Sequence, residues 1–507
     1  MKHLNLIVLI AINCITTNAF CQQSIVFDKQ YLFDGRNNYI KDFKQTPDGG
    51  FICGGSIGFA MFDERFLLFK TDSLGEVEWY KYQDSVSVNS DLWAVDITKT
   101  GNYVGFGITQ ENPEWHQSGA IVMYDETGDT LWSKQYAFNS LFVDGEKTRI
   151  FFNDGKYTRD NSLIAAGCIQ DPGVINAHNP IVVKTNLVGD TLWTWRLFNV
   201  DNTIVIESID ETNEGDYIAV GRADLPINDN KVTWAPQRGF IVKLSPNGEL
   251  IFLKEWTDID YNYFTDVAIN SNNELVISGV YWKHPTDDNS TYHTLLVKTD
   301  SIGETIFYKQ IEYGKNCAGI GVVTDNSDNI CLMTMFGAPE DSSGVWGFEV
   351  LLQKYYDNGN FGWEKSIGGV YITNWPYAIV STNDDGFAFC GLYSIANDHN
   401  YSWVVKTDSL GNGNYQQGWI NSISKINIDL GINIYPNPVS DIVTVETLHS
   451  NENFDMWVYD LSGRNIMSFF NISEIKTFSV KDLLNGIYII KIKSNDRVFT
   501  GKLSVKH

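Results

Sequence analysis

Short apolar runs alternate with turn residues along most of this chain, and one arrangement of them returns seven times. An apolar run leads to a glycine, and four residues after the glycine stands an aromatic. The glycines are Gly75, Gly128, Gly189, Gly248, Gly303, Gly359 and Gly411; the aromatics are Trp79, Trp132, Trp193, Phe252, Phe307, Trp363 and Tyr415. Successive glycines lie 52 to 61 residues apart. In the first unit the run Phe66-Leu67-Leu68-Phe69 is short and bounded by turn residues, which favours a buried strand over a helix. Residues 72–75 then turn the chain, with an Asp side chain free to bond the backbone and a glycine free to take positive φ. The return, 76–82, alternates with the period of two that a strand requires. Upstream, residues 39–44, the turn Pro47-Asp48-Gly49-Gly50 and residues 51–55 predict a second hairpin. Each unit is thus four strands, a to d. Strand b is expected to end in glycine in six units, with Thr334 in that place in the sixth. Glycine inside a strand marks a close backbone approach.

One small sheet cannot cover both of its faces, whereas a ring covers each face with a neighbour. A period near fifty with strand content therefore predicts an all-β, seven-bladed β-propeller over residues 24–421. The ring must also close. Phe27-Asp28-Lys29-Gln30-Tyr31 reads like a fourth strand without its unit, as comparison with residues 132–136 and 307–311 shows, and the fourth strand of the last unit, 412–418, is the poorest. The N-terminal strand is expected to complete the seventh sheet, which removes an unpaired edge.

Composition narrows the setting. The 507 residues carry a net charge of −25, a field that repels nucleic acid and anionic membranes, and 14% are aromatic. Met1-Lys2-His3, the apolar stretch 4–15 and Ala19-Phe20-Cys21 read as a secretory signal peptide, residues 1–21. No other stretch is long and apolar enough to be a transmembrane segment. Five cysteines remain after Cys21: Cys53, Cys168, Cys317, Cys331 and Cys390. Their odd number and their place in or beside apolar strands predict buried thiols rather than a disulfide framework. Cys317 with Cys331 is the only pair near enough in sequence to consider.

The repeat stops after Trp419. A polar linker, 422–431, leads into residues 432–507, where five short alternating segments are separated by turn signals and predict a small Ig-like β-sandwich. Tyr435-Pro436-Asn437-Pro438, Asp441, Asp460-Leu461-Ser462-Gly463, Leu484, Gly486-Ile487-Tyr488 and the terminal Lys502-Leu503-Ser504-Val505 occur in order at the chain's end. This segment resembles the type A C-terminal sorting domain of type IX secretion cargo from Bacteroidetes. The resemblance implies that the type IX machinery is a partner, and that the protein is secreted or attached to the outer-membrane surface. Pro436, Asn437, Pro438, Asp441, Gly463, Gly486, Tyr488 and Lys502 are the residues that carry the signal.

For chemistry, the long b–c and d–a connections stand out, because long variable loops on a rigid frame collect binding residues. Trp115, His116, His178, Trp234, Trp282, His284, Trp346 and His399, with His293 beside them, are assigned there. Aromatic faces flanked by polar groups suit a sugar ring. No histidine pair has metal-ligand spacing within one loop, no catalytic residue is assigned, and no cofactor is implied; the acidic loops leave calcium open. No H-E-x-x-H, P-loop or EF-hand pattern occurs. The expected function is non-catalytic binding of an extracellular glycan or protein. The alternatives are a polysaccharide hydrolase or lyase working on the b–c/d–a face, and a structural surface or adhesion component.

Overall fold

The computed structural model describes residues 24–58, 64–83, 88–110, 117–136, 148–170, 178–197, 203–224, 237–283, 291–313, 316–337, 348–368, 372–395, 399–415, 432–447, 453–460, 464–473, 475–494 and 497–507. Among these residues every helix-or-strand element is a strand. The signal peptide and linker assigned from sequence lie outside them. The chain forms two compact units, residues up to Asn421 and Ser422–His507.

Hairpins joined in series make the first unit. Its opening sheet runs Asn37–Gln45, Phe51–Gly58, Glu64–Thr71, Val77–Tyr82, as strands a to d. The second set is Val88–Ile97, Tyr103–Gln110, Gln117–Tyr124, Thr130–Tyr136. The third is Arg149–Tyr157, Leu163–Gln170, Asn179–Thr185, Thr191–Arg196, and the fourth Ile204–Glu211, Tyr217–Asp224, Gln237–Leu244, Leu250–Glu255. The fifth is Asn262–Ile269, Leu275–Lys283, Thr291–Thr299, Thr305–Ile311. The sixth, Cys317–Thr324, Ile330–Gly337, Phe348–Tyr355, Phe361–Ile367, is joined to the last set by one parallel bridge, Phe348 to Thr373. That last set is Ile372–Ser381, Phe387–Ile395 and Asn400–Thr407, with Phe27–Tyr31 as its outer strand, paired from Phe27 with Lys406 to Tyr31 with Ser402. Within this unit no strand follows the turn at Gly411 among the described residues, and Tyr415 is not part of a strand.

Buried apolar side chains fill the space between each set and the next. One cluster joins Phe106 and Ile121 to Phe152 and Ala165, the next joins Ile164 and Val182 to Ile206 and Phe240, and so on around. The cluster of Phe43, Phe51 and Cys53 in the first set also holds Phe27, and Ala388, Cys390 and Val404 of the last. The repeated glycine and aromatic belong to this packing. All seven turn glycines have φ between +72° and +83°, a region costly to residues with a Cβ. Against each lies the strand-d aromatic of the preceding set. A Cβ on Gly128 would stand 2.4 Å from Trp79, and one on Gly248 2.6 Å from Trp193. Gly75 meets Phe27 in the same way, at 2.9 Å. Ion pairs repeat the step: Lys81–Asp129 at 2.8 Å, Lys134–Asp190 at 2.7 Å, and Lys29–Glu76 at 2.6 Å. Phe27 and Lys29 thus occupy the positions that strand d fills elsewhere.

The strand-b glycine is interior rather than terminal, since the first such strand continues from Gly55 to Gly58. Its cause is a β-bulge in strand a, which pushes a carbonyl toward strand b. A Cβ on Gly55 would lie 2.0 Å from Tyr39 O, and one on Gly167 1.9 Å from Phe151 O. In the sixth set the glycine has changed strands: Gly319 of strand a faces Thr334 of strand b.

The five cysteines are free and buried. Burial pushes the Cys168 thiol up to about 12.

In the C-terminal unit, Ile432–Tyr435, Ile442–Thr447 and Ile475–Ser479 form one sheet. Asn465–Ser473, Asn453–Asp460, Gly486–Ser494 and Arg497–Val505 form the other. Val443, Val445, Met456, Val458, Ile490 and Leu503 share their core. Asn437 ties its segment to the last strand, donating from Nδ2 to Lys502 O at 2.6 Å and accepting from Ser504 N at 2.8 Å. Pro438 follows a cis bond. Asp441 pairs with Lys481 at 3.1 Å, and its carbonyl accepts from Val480 N. Gly486 opens a strand, and two residues on Tyr488 donates its hydroxyl proton to Leu484 O at 3.0 Å. Gly463 lies outside the described residues.

Candidate functional site

Each strand a carries its bulge at the same place. The pairing skips Lys41, Trp93, Asn153, Glu207, Thr265, Ile320 and Tyr377 in turn. A bulge frees one residue from the ladder and re-aims its side chain. All seven of these residues line a single cavity of about 330 Å³, within the range of about 300–1,000 Å³ typical of small-molecule pockets. No two are alike, so a repeated backbone presents a ring of seven different side chains.

Below the ring the cavity wall has two characters. Val322, Val323, Ile379 and Val380 form an apolar side; Asp42, Lys44, Asp154, Lys156, Asp210 and Asp266 form a charged one. These carboxylates, together with Asp96 outside the cavity lining, are committed to the frame. Asp42 accepts from Val95 N at 2.9 Å, Asp96 from Tyr157 N at 2.8 Å and Asp154 from Ile209 N at 2.8 Å. Asp210 accepts from Ile269 N at 3.1 Å and Asp266 from Val322 N at 2.9 Å. Each of these bonds crosses to the following sheet. In Asp154 and Asp266 the second oxygen accepts from the next residue's own N–H, at 2.7 and 2.9 Å. Lys44 lies 2.8 Å from Asp42, and Lys156 pairs with Asp210. Burial pulls the Lys44 ammonium down, but Asp42, Asp96 and Asp154 outweigh it and hold the group above its ordinary value.

Asp154 and Asp266 share one hydroxyl. Ser208 Oγ stands 3.1 Å from the first and 2.8 Å from the second. A hydroxyl has one proton to give, so both contacts are hydrogen bonds only when one carboxyl is itself protonated. Burial pushes Asp154 up to about 6 and Asp266 up to about 7, and Asp154 adds to the rise in Asp266. A carboxyl raised in the folded state binds its proton more tightly there than in the unfolded chain. The stabilisation it gives is complete below the unfolded value near 3.9 and is lost as pH climbs through about 6 to 7. Asp266→Asn is expected to flatten the decline in stability between pH 4 and 7. At pH 4 it should also lower stability by about 1–3 kcal/mol, because an amide NH2 then faces a backbone N–H. Urea unfolding across that pH range checks both; an unchanged slope would place the proton elsewhere.

Of the residues singled out from sequence, Trp115, His116, Trp234, His284 and Trp346 lie outside the described residues. Trp282 is in strand b of the fifth set rather than in a connection, 5.3 Å from the Tyr263 ring. His178 precedes strand c of the third set, with its ring 6.0 Å from Phe151. Burial and then Arg222 hold it below its usual value. Tyr263 and Phe151 each stand two residues before a bulge residue, but neither Trp282 nor His178 lines the cavity. His399 is exposed beside the last strand c. His293 is a core residue, 3% exposed, held by Thr291 Oγ1 at 2.8 Å. No group of three metal-ligating side chains occurs among the described residues. The sequence reading missed the bulge ring. Its signal is a fixed offset: each member stands fourteen residues before the strand-b glycine, or before Thr334.

Residues 433–506 match the family model of the secretion system C-terminal sorting domain. Solved β-propeller structures resemble the rest. A polysaccharide lyase, an ulvan lyase bound to a glucuronic acid–sulfated rhamnose unit, aligns over 75% of this chain and 96% of its own, at 9% identity and a TM-score of 0.50. The β-propeller domain of the trilobed protease from Pyrococcus furiosus aligns over 76% and 99%, at 10% identity and a TM-score of 0.41. An α-L-arabinofuranosidase from Fusarium graminearum aligns over 65% and 94%, at 11% identity and a TM-score of 0.40. At such identities the likeness concerns fold alone. No curated protein sequence matches the chain. The protein therefore carries a type IX sorting domain behind a propeller of repeated four-stranded sheets, and the sorting domain marks it for export to the cell surface or beyond. No helix among the described residues is long and apolar enough to cross a membrane.

Proposed function

We propose that the exported protein is a non-catalytic binding protein whose propeller has seven blades and takes an extracellular saccharide at the bulge ring. Pairing of residues 27–31 with the last sheet and the contact of Phe27 with Gly75 support the blade count. The two-sheet C-terminal unit supports an Ig-like sandwich. The observation that carries the function is the division of labour in the cavity. Four cavity-lining carboxylates, Asp42, Asp154, Asp210 and Asp266, are spent on stitching one sheet to the next, while the ring presents Trp93 and Tyr377 beside Asn153, Thr265 and Glu207, which Ile206 O, Gly319 O and Arg222 hold in place. Sugar rings present apolar C–H faces to aromatics and hydroxyls to polar groups. Trp282, His178 and His399 would extend the contact outward. A carboxyl pair sharing a proton could serve a hydrolase, but here both oxygens of each acid already receive a backbone N–H.

A glycan array on the full chain, followed by calorimetry on the best hits, tests the assignment. Tyr377→Ala and Trp93→Ala are each expected to weaken binding tenfold or more, about 1.4 kcal/mol. Binding that ignores both substitutions would remove the ring from the site. Release of reducing ends or unsaturated products from a bound oligosaccharide would make the protein an enzyme instead.

A further inference from the structure

We propose that Lys41 anchors an oxyanion of the bound saccharide, a carboxylate or a sulfate ester, and that Asp91 is its built-in competitor. The proposal rests on the cavity being a saccharide site and specifies the ligand's charge. Other well-buried lysines of the propeller each hold a carboxylate at hydrogen-bond distance: Lys70 with Asp48 at 2.7 Å, Lys184 with Asp160 at 2.6 Å, Lys406 with Asp384 at 2.7 Å. Lys41 differs. Its side chain is only 16% exposed, yet the nearest carboxylate oxygen, Asp91 Oδ2, is 4.0 Å away, too far for a hydrogen bond. The ammonium lies over aromatic faces instead, 3.8 Å from the Trp93 centroid and 4.8 Å from that of Tyr377. Those faces stabilise its charge but cannot accept its three N–H bonds in the plane-directed way an oxygen does.

Its neighbours are also under-used. Asp91 is 5% exposed, and its Oδ1 has no hydrogen-bond partner; neither has Trp93 Nε1. Tyr39 has one hydroxyl proton, and its oxygen stands 3.1 Å from Glu64 and 3.4 Å from Asp91. Lys41, Trp93 and Tyr377 all line the cavity, so an anion there would meet the ammonium beside two aromatic faces. A lysine is a point charge without the planar fork of arginine, and so serves carboxylate and sulfate alike.

The competitor makes binding depend on acidity. The groups facing Asp91 are Lys41 and Tyr39 from strand a of the first set, Ser56 from its strand b, Glu64 from its strand c, and Tyr377 from the last set. Burial pushes the Asp91 carboxyl up to about 7, with Lys41 pulling it back and Glu64 pushing it further. Below that value the acid is neutral and releases Lys41; above it, the carboxylate holds the ammonium against the ligand. With a midpoint near 7, an anionic ligand gains about tenfold in affinity between pH 8 and pH 6.

Calorimetry on the full chain with an oligogalacturonate, a sulfated galactan oligosaccharide and an uncharged galactan oligosaccharide of equal length provides the test. At least one charged oligosaccharide is expected to bind tenfold or more tighter than the uncharged one, and which one identifies the anion. Lys41→Gln should bring it down to the uncharged level. Asp91→Asn should hold it at its pH 6 affinity across the range, and this variant carries the test alone if Lys41→Gln does not fold. Equal binding of charged and uncharged ligands, or a pH response that survives Asp91→Asn, would overturn the proposal and leave the saccharide site standing. Failure of all three to bind, with the array also blank, would remove the site as well.

Discussion

Phe27→Ala is expected to destabilise the propeller by about 3–5 kcal/mol, the usual cost of emptying a buried phenylalanine site. Phe27 is 5% exposed, packs edge-on against Phe51 at 6.0 Å, and covers Gly75. Its strand is the outer edge of the last sheet, while the groups it touches belong to the first. The substitution therefore acts on the contact between the two ends of the repeat. Equilibrium urea unfolding checks it, with Leu131→Ala as the comparison. Leu131 is 53% exposed on a strand d and should stay within about 0.5 kcal/mol of the parent. Equal effects from the two would mean that residues 27–31 contribute no closure.

The second large effect is expected from one methyl group. Gly167→Ala should cost about 3 kcal/mol or more, at the upper end of overpacking penalties. The new Cβ would stand 1.9 Å from Phe151 O, a backbone atom that cannot rotate away. The strand could accommodate it only by flattening its bulge, and that bulge is what directs Asn153 into the cavity. Ligand affinity should therefore fall along with stability. Gly337→Ala, where the nearest atom is 3.9 Å from the new Cβ, should change stability little. A protein indifferent to Gly167→Ala would show that the carbonyl is not fixed and that the ring residues are not held by the bulge.

Much of this fold was legible because its signals are local. Turn glycines and apolar runs lie within a dozen residues of each other, and a hairpin needs no more than that. The aromatic four residues after each glycine was legible as a repeat but not in its meaning, since Trp79 serves Gly128 of the following set rather than Gly75 of its own. The strand-b glycines announced a close approach; that a bulge causes it is a matter of register between two strands, which no single strand shows. The candidate site was less accessible. Loop composition drew attention to Trp282 and His178, which lie outside the cavity lining, and to His293, which is packed in the core. The ring itself hides because its members share no chemistry. Lys41, Trp93 and Ile320 become equivalent only when the units are laid over one another, and then what repeats is their position.

The pairing of Phe27 with Lys406 has a consequence for how the molecule is made. Every strand of the propeller apart from this pair bonds to neighbours that leave the ribosome within seconds of it at ordinary elongation rates. The leading strand must wait until almost the whole propeller has been synthesised before its partner exists. Hairpins can form in order as the chain emerges, but the circle cannot lock early, and loop closure over that span is slow. Until that final sheet arrives, the first and last sheets have no strand in common, and the unit is a series of hairpins open at both ends.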